Sequence, residues 1–163
     1  MYILGIDPGF ARVGYGIIDY TNNIYKVIEY GSITTEMDID FCYRLNKIEK
    51  DLKLICSKYT IDSASIEELF FNTNTKTAIK VAEARGVIIN TLVNLNISVF
   101  EYTPLEIKQA LTGYGRASKE QMKDMVKTYL KLKSMPKLDD TTDALAAAIC
   151  HSSSYKLNNK TRK

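Results

Sequence analysis

The sequence has few of the features that identify a secreted, zinc-binding or membrane protein. Its three cysteines, Cys42, Cys56 and Cys150, lie far apart and form no C-x-x-C pair, so neither a disulfide framework nor a zinc site is predicted. We expect them to pack as small hydrophobic side chains in a reducing cytoplasm. No apolar run approaches the roughly 18 residues that a membrane helix needs. The N-terminal stretch MYILGIDPGF has no basic segment and carries an acid at position 7, so it does not predict a signal peptide.

Internal repeats, linkers and low-complexity blocks are also missing from the 163 residues. The hydrophobic content of 45% and the charged content of 25% are ordinary for a globular protein. The length suits one well-packed domain and is too short for two. We therefore predict a single domain over residues 1–152, followed by a basic, flexible tail over residues 153–163.

Positive charge is concentrated in the last third of a chain whose net charge is only +3. Between Pro104 and Met135, seven basic residues are opposed by three acidic ones. Such an excess points to a polyanionic partner. A solvated helix face with a frayed tail explains the same feature about equally well.

Hydrophobic patterning predicts an alternation of strands and helices. Strands are predicted over 2–7, 13–20, 24–33, 63–67 and 97–102, and helices over 41–59, 75–94, 104–111, from 118 and from about 139. The helix over 75–94 has apolar residues at Ala78, Ile79, Ala82, Val87 and Leu92. The sequence SKEQ at 118–121 is a capping box that opens a helix. The order predicts an α/β protein with one five-stranded mixed sheet, in which three strands are antiparallel and crossover helices add two in parallel.

Two of the predicted strands, YILGID and SASIE, end in a carboxylate, Asp7 and Glu67. Functional groups collect at the carboxyl ends of parallel strands, so these two acids lie side by side if their strands are neighbours. The motif DDTTDALAAAI adds Asp140 and Asp143, which are three apart and share a helix face. Carboxylates without a nearby histidine or cysteine suit Mg²⁺ or Mn²⁺. Two such ions are the usual means of attacking a phosphodiester.

Each of these features also has an ordinary structural explanation. The DPG sequence is a common turn signature, and Asp139 or Asp140 at a helix start is more often an N-cap than a ligand. Glu67 at the end of a strand is usually just its polar boundary. The metal-site hypothesis gains its weight from the occurrence of all three together.

Six motifs in order resemble the RuvC-type Holliday junction resolvases: GIDPG…GYG, IEELF, AEARGV, VFEY, IKQALTGYGRASKEQ and DDTTDALAAAI. The similarity extends from residue 3 to about residue 151. It implies an RNase H-like fold, a homodimer, and an endodeoxyribonuclease that cuts four-way DNA junctions at paired positions in recombination and repair. It also implies two Mg²⁺ ions per active site, replaceable by Mn²⁺, and a branch-migration motor complex of the RuvA/RuvB type as a partner.

The same resemblance implies roles for individual residues. The catalytic and metal-binding carboxylates match Asp7, Glu67, Asp140 and Asp143, and the catalytic lysines match Lys108 and Lys119. Phe70 matches an aromatic residue that stacks on a base at the opened junction centre. The predicted DNA-binding residues are Phe70, Lys108, Arg116, Lys119 and Lys123. Phe71 is the better candidate for packing.

Several residues depart from the family pattern. Glu68 stands where glutamine is expected, although alternation along the strand still points Glu67 toward the metals and Glu68 away. Val13 replaces a threonine, Thr141 and Thr142 replace small residues, and Asp139 adds an acid one position early.

Three other functions compete with junction cleavage. The nearest is an RNase H-like nuclease that acts on another nucleic acid, such as RNA or damaged DNA. A nucleotide-binding module of the sugar kinase and actin type shares the GIDPG motif, but it needs two lobes and a second glycine-rich phosphate loop. A junction-binding protein that no longer cuts is disfavoured because all four acids and both lysines are present. Whether the helix over 75–94 contacts a second copy or lies in the core stays open.

Overall fold

The structure is a computed structural model that describes the backbone of residues 1–69 and 75–161 and the side chains of residues 1–69 and 77–154. Its strands are β1 (Tyr2–Asp7), β2 (Arg12–Thr21), β3 (Ile24–Thr34), β4 (Ser63–Glu67) and β5 (Ser98–Tyr102). Its helices are α1 (Phe41–Cys56), α2 (Thr75–Asn94), α3 (Pro104–Thr112), α4 (Lys119–Leu130) and α5 (Asp139–Thr161). The predicted order of elements is confirmed.

The strands form one sheet in the order β3-β2-β1-β4-β5. Strand β1 pairs antiparallel with β2 and β2 with β3, while β1 pairs parallel with β4 and β4 with β5. This is the predicted mixed sheet. The register of β1 and β4 places Ile6 beside Ile66, so the next residues, Asp7 and Glu67, leave the sheet at the same edge.

Alternation along β1 divides the core between the two faces of the sheet. Leu4 and Ile6 belong to a buried cluster that α1 and α2 complete from one side, with Ile48 and Ile88 among its members. Ile3 faces a second cluster on the other side, formed mainly by α3, α4 and α5. The central strand is therefore covered on both faces, as expected where crossover helices connect parallel strands.

Helix α5 lies directly on the backbone of β1 and β2. A Cβ added at Gly5 would come 1.9 Å from the carbonyl oxygen of Ala144, and one added at Gly14 would come 2.0 Å from that of Asp140. Ala144 and Ala148 are fully buried at the contact. Only glycine on the strands and alanine on the helix allow an approach this close.

The helix ends follow the predicted signals. Ser118 accepts a hydrogen bond from the Gln121 N–H, and the Gln121 side chain accepts one from the Ser118 N–H, so the capping box of α4 is confirmed. Thr103 and Glu106 form an equivalent box at the start of α3. Gly113, with φ of 72°, ends α3 in the left-handed region that favours glycine.

Two expectations, the end of α1 and the packing of one cysteine, were wrong in part. Helix α1 ends at Cys56, where the Ser57 hydroxyl donates to a carbonyl of the last turn. Cys42 is exposed on the outer face of α1, whereas Cys56 and Cys150 are buried as predicted. The backbone of residues 153–161, within the predicted tail, continues α5, since these residues include neither glycine nor proline to stop a helix. In the part of the chain that the structure describes, no helix is long and apolar enough to cross a membrane.

The apolar residues of α2 divide between a buried and an exposed side, a question that the sequence left open. Its buried positions include Ala84, Ile88 and Leu92, whereas Ile79 is 62% exposed and Ala82 is exposed as well. The helix carries apolar residues on two sides, and only contact with α1 and the sheet decides which side is covered.

The contact between α5 and β1 can be tested by substitution. Gly5→Ala should destabilise the protein by about 3 kcal/mol, near the upper end of overpacking costs, because the obstacle is helix backbone that cannot rotate away. Chemical denaturation at fixed protein concentration measures the loss.

Gly31→Ala is the matched control, since its Cβ would meet only the phenol end of Tyr15, at 3.0 Å. We expect a loss below about 1 kcal/mol there. Equal losses for the two variants would show that the helix does not depend on Gly5.

Candidate active site

Two strands and one helix bring the predicted carboxylates together. Asp7 ends β1 and Glu67 ends its parallel neighbour β4. Gly14, which pairs with Asp7 across the antiparallel ladder, lies against the carbonyl of Asp140. Asp140 lies in the first turn of α5 and Asp143 follows it by three residues on the same face, so the glycine contact carries both acids to the carboxyl ends of β1 and β4.

The charges of these acids interact. Burial, followed in order of effect by the carboxylates of Glu67, Asp143 and Asp140, raises the pKa of Asp7 to about 8. Burial and then the Asp143 carboxylate raise the pKa of Glu67 to about 7. Burial also raises the pKa of Asp143. The acids are thus close enough for each negative charge to disfavour the others, the condition that a cation relieves.

A cleft opens beside these acids, between α3 and α4. Glu67, Asp143, Lys108 and Lys119 line it together with apolar side chains, among them Met122. Lys119 opposes the rise in the pKa of Asp7, and Lys108 opposes that of Glu67. The structure therefore brings both predicted lysines to the carboxylates.

Lys119 and Lys123 share Asp139 as a partner. The two ammonium nitrogens each lie 2.9 Å from an oxygen of Asp139, and the Lys119 nitrogen is also 4.0 Å from Asp143. The hydrogen bonds that the lysines donate lower the pKa of Asp139 to about 2, and the bond that Lys119 donates to Asp139 raises the pKa of Lys119. The additional acid of the DD motif therefore binds lysines.

Arg12 joins the site although sequence reasoning missed it. Its Nη1 donates to Oδ2 of Asp140 at 3.1 Å. Arg12, Gly14 and Gly16 alternate along β2 and so face the same side, and a Cβ added at either glycine would meet α5. The one signal in the sequence was that Arg12 lies two residues before the first glycine of the GYG motif. That spacing indicates a position near α5 only when α5 is known to cover those glycines.

The donor set fits a hard divalent cation, but its atoms do not already surround one point. Within residues 1–69 and 75–161, no three Asp, Glu, His or Cys side chains meet as a ready metal-binding group. Arg12 is on Asp140 and Lys119 lies near Asp143, so chain cations now neutralise two of the acids. Oxygen-only donors with raised pKa values are the chemistry that Mg²⁺ and Mn²⁺ satisfy.

The remaining predicted residues lie at varied distances from the cleft. Arg116 is exposed between α3 and α4, and Lys123 lies one turn beyond Lys119 on α4. Phe70 and Phe71 are outside the described residues. The N–H of Glu68 donates to the carbonyl of Tyr102 at 2.8 Å, which continues the β4–β5 pairing past the end of β4.

Three departures from the family pattern, Val13, Thr141 and Thr142, are buried. Val13 is 1% exposed, and the Thr141 hydroxyl donates to the carbonyl of Gly31 at 3.1 Å. The Thr142 hydroxyl has no hydrogen-bond partner among the described residues. Thr141 therefore helps to hold α5 against the sheet, whereas Val13 packs in the cluster on the opposite face, under α1 and α2.

The one histidine lies away from the cleft. His151 is buried, with Nδ1 2.7 Å from the Tyr102 hydroxyl and Nε2 3.0 Å from the Ser63 hydroxyl. Burial lowers its pKa to about 4. Because Ser63 begins β4 and Glu67 ends it, His151 is not placed to act on the carboxylates.

The sheet order and the two-sided helix cover define an RNase H-like fold. The Thermus thermophilus RuvC solved in complex with a Holliday junction substrate matches with a TM-score of 0.92 and 28% identity, covering 97% of this chain and 96% of that one. The crossover junction endodeoxyribonuclease RuvC of Alkaliphilus oremlandii is 54% identical over 151 residues, 93% of this chain and 92% of that protein. That of Clostridioides difficile is 52% identical over 157 residues, 96% of this chain and 93% of that protein.

The model of one protein family, described as crossover junction endodeoxyribonuclease RuvC, matches residues 3–151. The chain belongs to this family.

The raised pKa of Asp7 predicts how stability depends on pH in the absence of metal. Its pKa is about 8 in the folded protein, against an ordinary 3.8, so between these values the folded state keeps a proton that the unfolded chain has lost. Stability should therefore fall as pH rises through this window. Asp7→Asn should remove much of that fall. The free energy of unfolding of the variant should therefore rise relative to that of the wild type between about pH 5 and about pH 8.

Denaturation in the presence of a chelator at the two pH values measures the effect. Asp124→Asn, which changes an exposed acid on α4, is the control and should follow the wild-type pH dependence. A difference between Asp7→Asn and wild type that did not change with pH would contradict the assignment.

Proposed function

We propose that this protein resolves four-way DNA junctions by paired, metal-dependent hydrolysis of phosphodiester bonds in recombination and repair. The observation that carries the proposal is the convergence of Asp7, Glu67 and Asp143, which have raised pKa values, beside a cleft that Glu67 and Asp143 line together with two lysines. Membership of the RuvC family supplies the substrate class. The solved Thermus thermophilus relative was bound to such a junction.

The carboxylates Asp7, Glu67, Asp140 and Asp143 would hold two Mg²⁺ ions, with Mn²⁺ as a substitute. Bound ions supply positive charge that stabilises the negative charge developing on the phosphate. For its part, the chain must release protons to bind them: Asp7 and Glu67, with pKa values of about 8 and about 7, favour their neutral forms near neutral pH without metal. Metal binding and proton release are therefore coupled.

Lys108 and Lys119 are proposed to contact the scissile or neighbouring phosphates. They line the cleft from α3 and α4, on the walls that face Glu67 and Asp143. Lysine ammonium groups bind phosphate as compact point charges. In that position they can stabilise charge on the phosphate oxygens as the bond breaks.

DNA binding beyond the cleft is assigned to basic and aromatic residues. Lys123 extends the basic side of α4 from Lys119, and the exposed Arg116 lies just before that helix. Phe70 follows Glu67 by three residues in the sequence, and we propose that it stacks on a base of the open junction. Base stacking of this kind contributes about 1–3 kcal/mol.

Paired cleavage needs two equivalent sites, which an isologous dimer provides. Helix α2 offers a surface for it, since Ile79 is 62% and Val93 58% exposed and both lie on the side away from Ile88. Ala82 and Gly86 share that exposed side, and no atom lies within 4 Å of a Cβ placed at Gly86. A stripe of small and apolar residues suits close packing against the same helix of a second copy.

Further partners are proposed from family membership. A branch-migration motor of the RuvA/RuvB type would move the junction while this protein cuts it. A DNA substrate of this kind places the protein in the cytoplasm, with the chromosome.

A substrate panel tests the proposed reaction. With Mg²⁺ or Mn²⁺, the protein should cut a synthetic four-way junction at paired positions and leave linear duplex and RNA–DNA hybrid intact. Asp7→Asn should slow cleavage at least about a hundredfold, the scale on which losing one charged group of a preorganised site slows an enzyme. Gel-shift binding of the junction should change little.

Two outcomes would count against the proposal. Efficient cleavage of the hybrid would favour an RNase H-like nuclease with another substrate. Undiminished cutting by Asp7→Asn would reject the metal-site assignment.

The dimer surface can be tested by placing a charge in it. Light scattering should show a dimer for the wild type and a monomer for Ile79→Glu, because a buried unpaired carboxylate is too costly for the interface. Leu54→Glu is the matched control, since Leu54 is 63% exposed on α1, and it should stay dimeric.

Circular dichroism should show both variants folded. A dimeric Ile79→Glu protein would rule out this face of α2.

A further inference from the structure

Arg12 is placed on one metal-site acid by the same packing that places α5. Its guanidinium Nη1 lies 3.1 Å from Oδ2 of Asp140, and the two side chains are 45% and 33% exposed. Gly14, two residues along the same face of β2, lies under the carbonyl of Asp140. The register of β2 under α5 therefore sets which acid Arg12 meets.

This ion pair adds little to stability. Exposed pairs of this kind are weak because water screens them and both side chains lose freedom. Its effect falls instead on the charge at Asp140. Arginine stays protonated at any pH the protein meets, so the guanidinium is a permanent positive charge on this carboxylate.

A divalent cation and the Arg12 guanidinium cannot both bind the Asp140 carboxylate without a cost in free energy. They need oxygens of one carboxylate, and two cations held a few ångströms apart repel each other. Lys119, by contrast, also pairs with Asp139 at 2.9 Å. It can therefore move away from Asp143 and still have a carboxylate that neutralises its own charge. Among the described residues, Arg12 is the positively charged side chain that lies within hydrogen-bonding distance of the Asp140 carboxylate.

We propose that Arg12 competes with the metal for Asp140 and so sets the metal concentration at which the site loads. Arg12 acts through Asp140 and is a positioning residue, not a group that touches the reacting phosphate. The inference rests on the proposed function, because that supplies the metal. It predicts that the protein binds its ions more weakly than its four carboxylates alone would allow.

The experiment measures Mn²⁺ binding to DNA-free protein, with free Mn²⁺ followed by electron paramagnetic resonance. Arg12→Gln should bind Mn²⁺ about three- to tenfold more tightly, the scale expected for losing one exposed ion pair and one nearby like charge. Arg12→Lys keeps the charge and should lie between this variant and wild type. Lys47→Gln removes an exposed ion pair of α1, with Asp51, and should leave Mn²⁺ affinity unchanged.

A double-mutant cycle shows whether the effect passes through Asp140. In an Asp140→Asn background, Arg12→Gln should tighten Mn²⁺ binding much less than in the wild type, because the contested carboxylate is gone and only the weak repulsion between like charges is left to remove. Equal tightening in both backgrounds would overturn the proposal, and so would unchanged or weaker binding by Arg12→Gln alone.

Failure of this inference is distinguishable from failure of the proposed function. If wild-type protein binds no Mn²⁺, both are overturned. If the wild type binds Mn²⁺ and Asp7→Asn weakens that binding, while Arg12→Gln has no effect, only the competition is overturned.

Discussion

The contact of α5 with the backbones of β1 and β2 positions the rest of the site. Gly5 and Gly14 let the helix approach until its carbonyl oxygens occupy the space of a Cβ, and Ala144 and Ala148 leave room on its side. Because Asp140 makes one of these contacts and Asp143 directly precedes Ala144 on the same rigid helix, their distance from the strand ends is set by packing. Protein interiors do not yield to a misplaced methyl group, so a larger residue here would move the acids.

Charge balance is the second constraint on the same residues. Asp7, Glu67 and Asp143 are buried close together, and each raises the cost of ionising another. The chain offsets part of this with its own cations, Arg12 and Lys119. The negative charges that remain in such a site repel one another, and a bound divalent cation would relieve that repulsion. This repulsion is the link between the structure and the proposed metal-dependent chemistry.

Local sequence signals predicted the elements well because they depend on neighbouring residues. The capping box at Ser118 and the strand-ending acids Asp7 and Glu67 appear where expected. The sequence left open which side of α2 is buried, since Ile79 is as apolar as Ile88 and periodicity cannot distinguish a core from a subunit surface. The helical 153–161 segment was missed because its composition is polar and basic, while helix continuation depends on the absence of a stop signal.

The sequence by itself determined the order of strands and helices, the carboxylates that end β1 and β4, and the helical spacing of Asp140 and Asp143, because these follow from the 2.0 and 3.6 residue periods. Only the tertiary structure decided the partners of the charges. Asp139 pairs with Lys119 and Lys123, and Arg12 pairs with Asp140 across most of the chain. Such pairs depend on how α5 rests on β2 and α4, and no local pattern records the distance between residues that folding brings together.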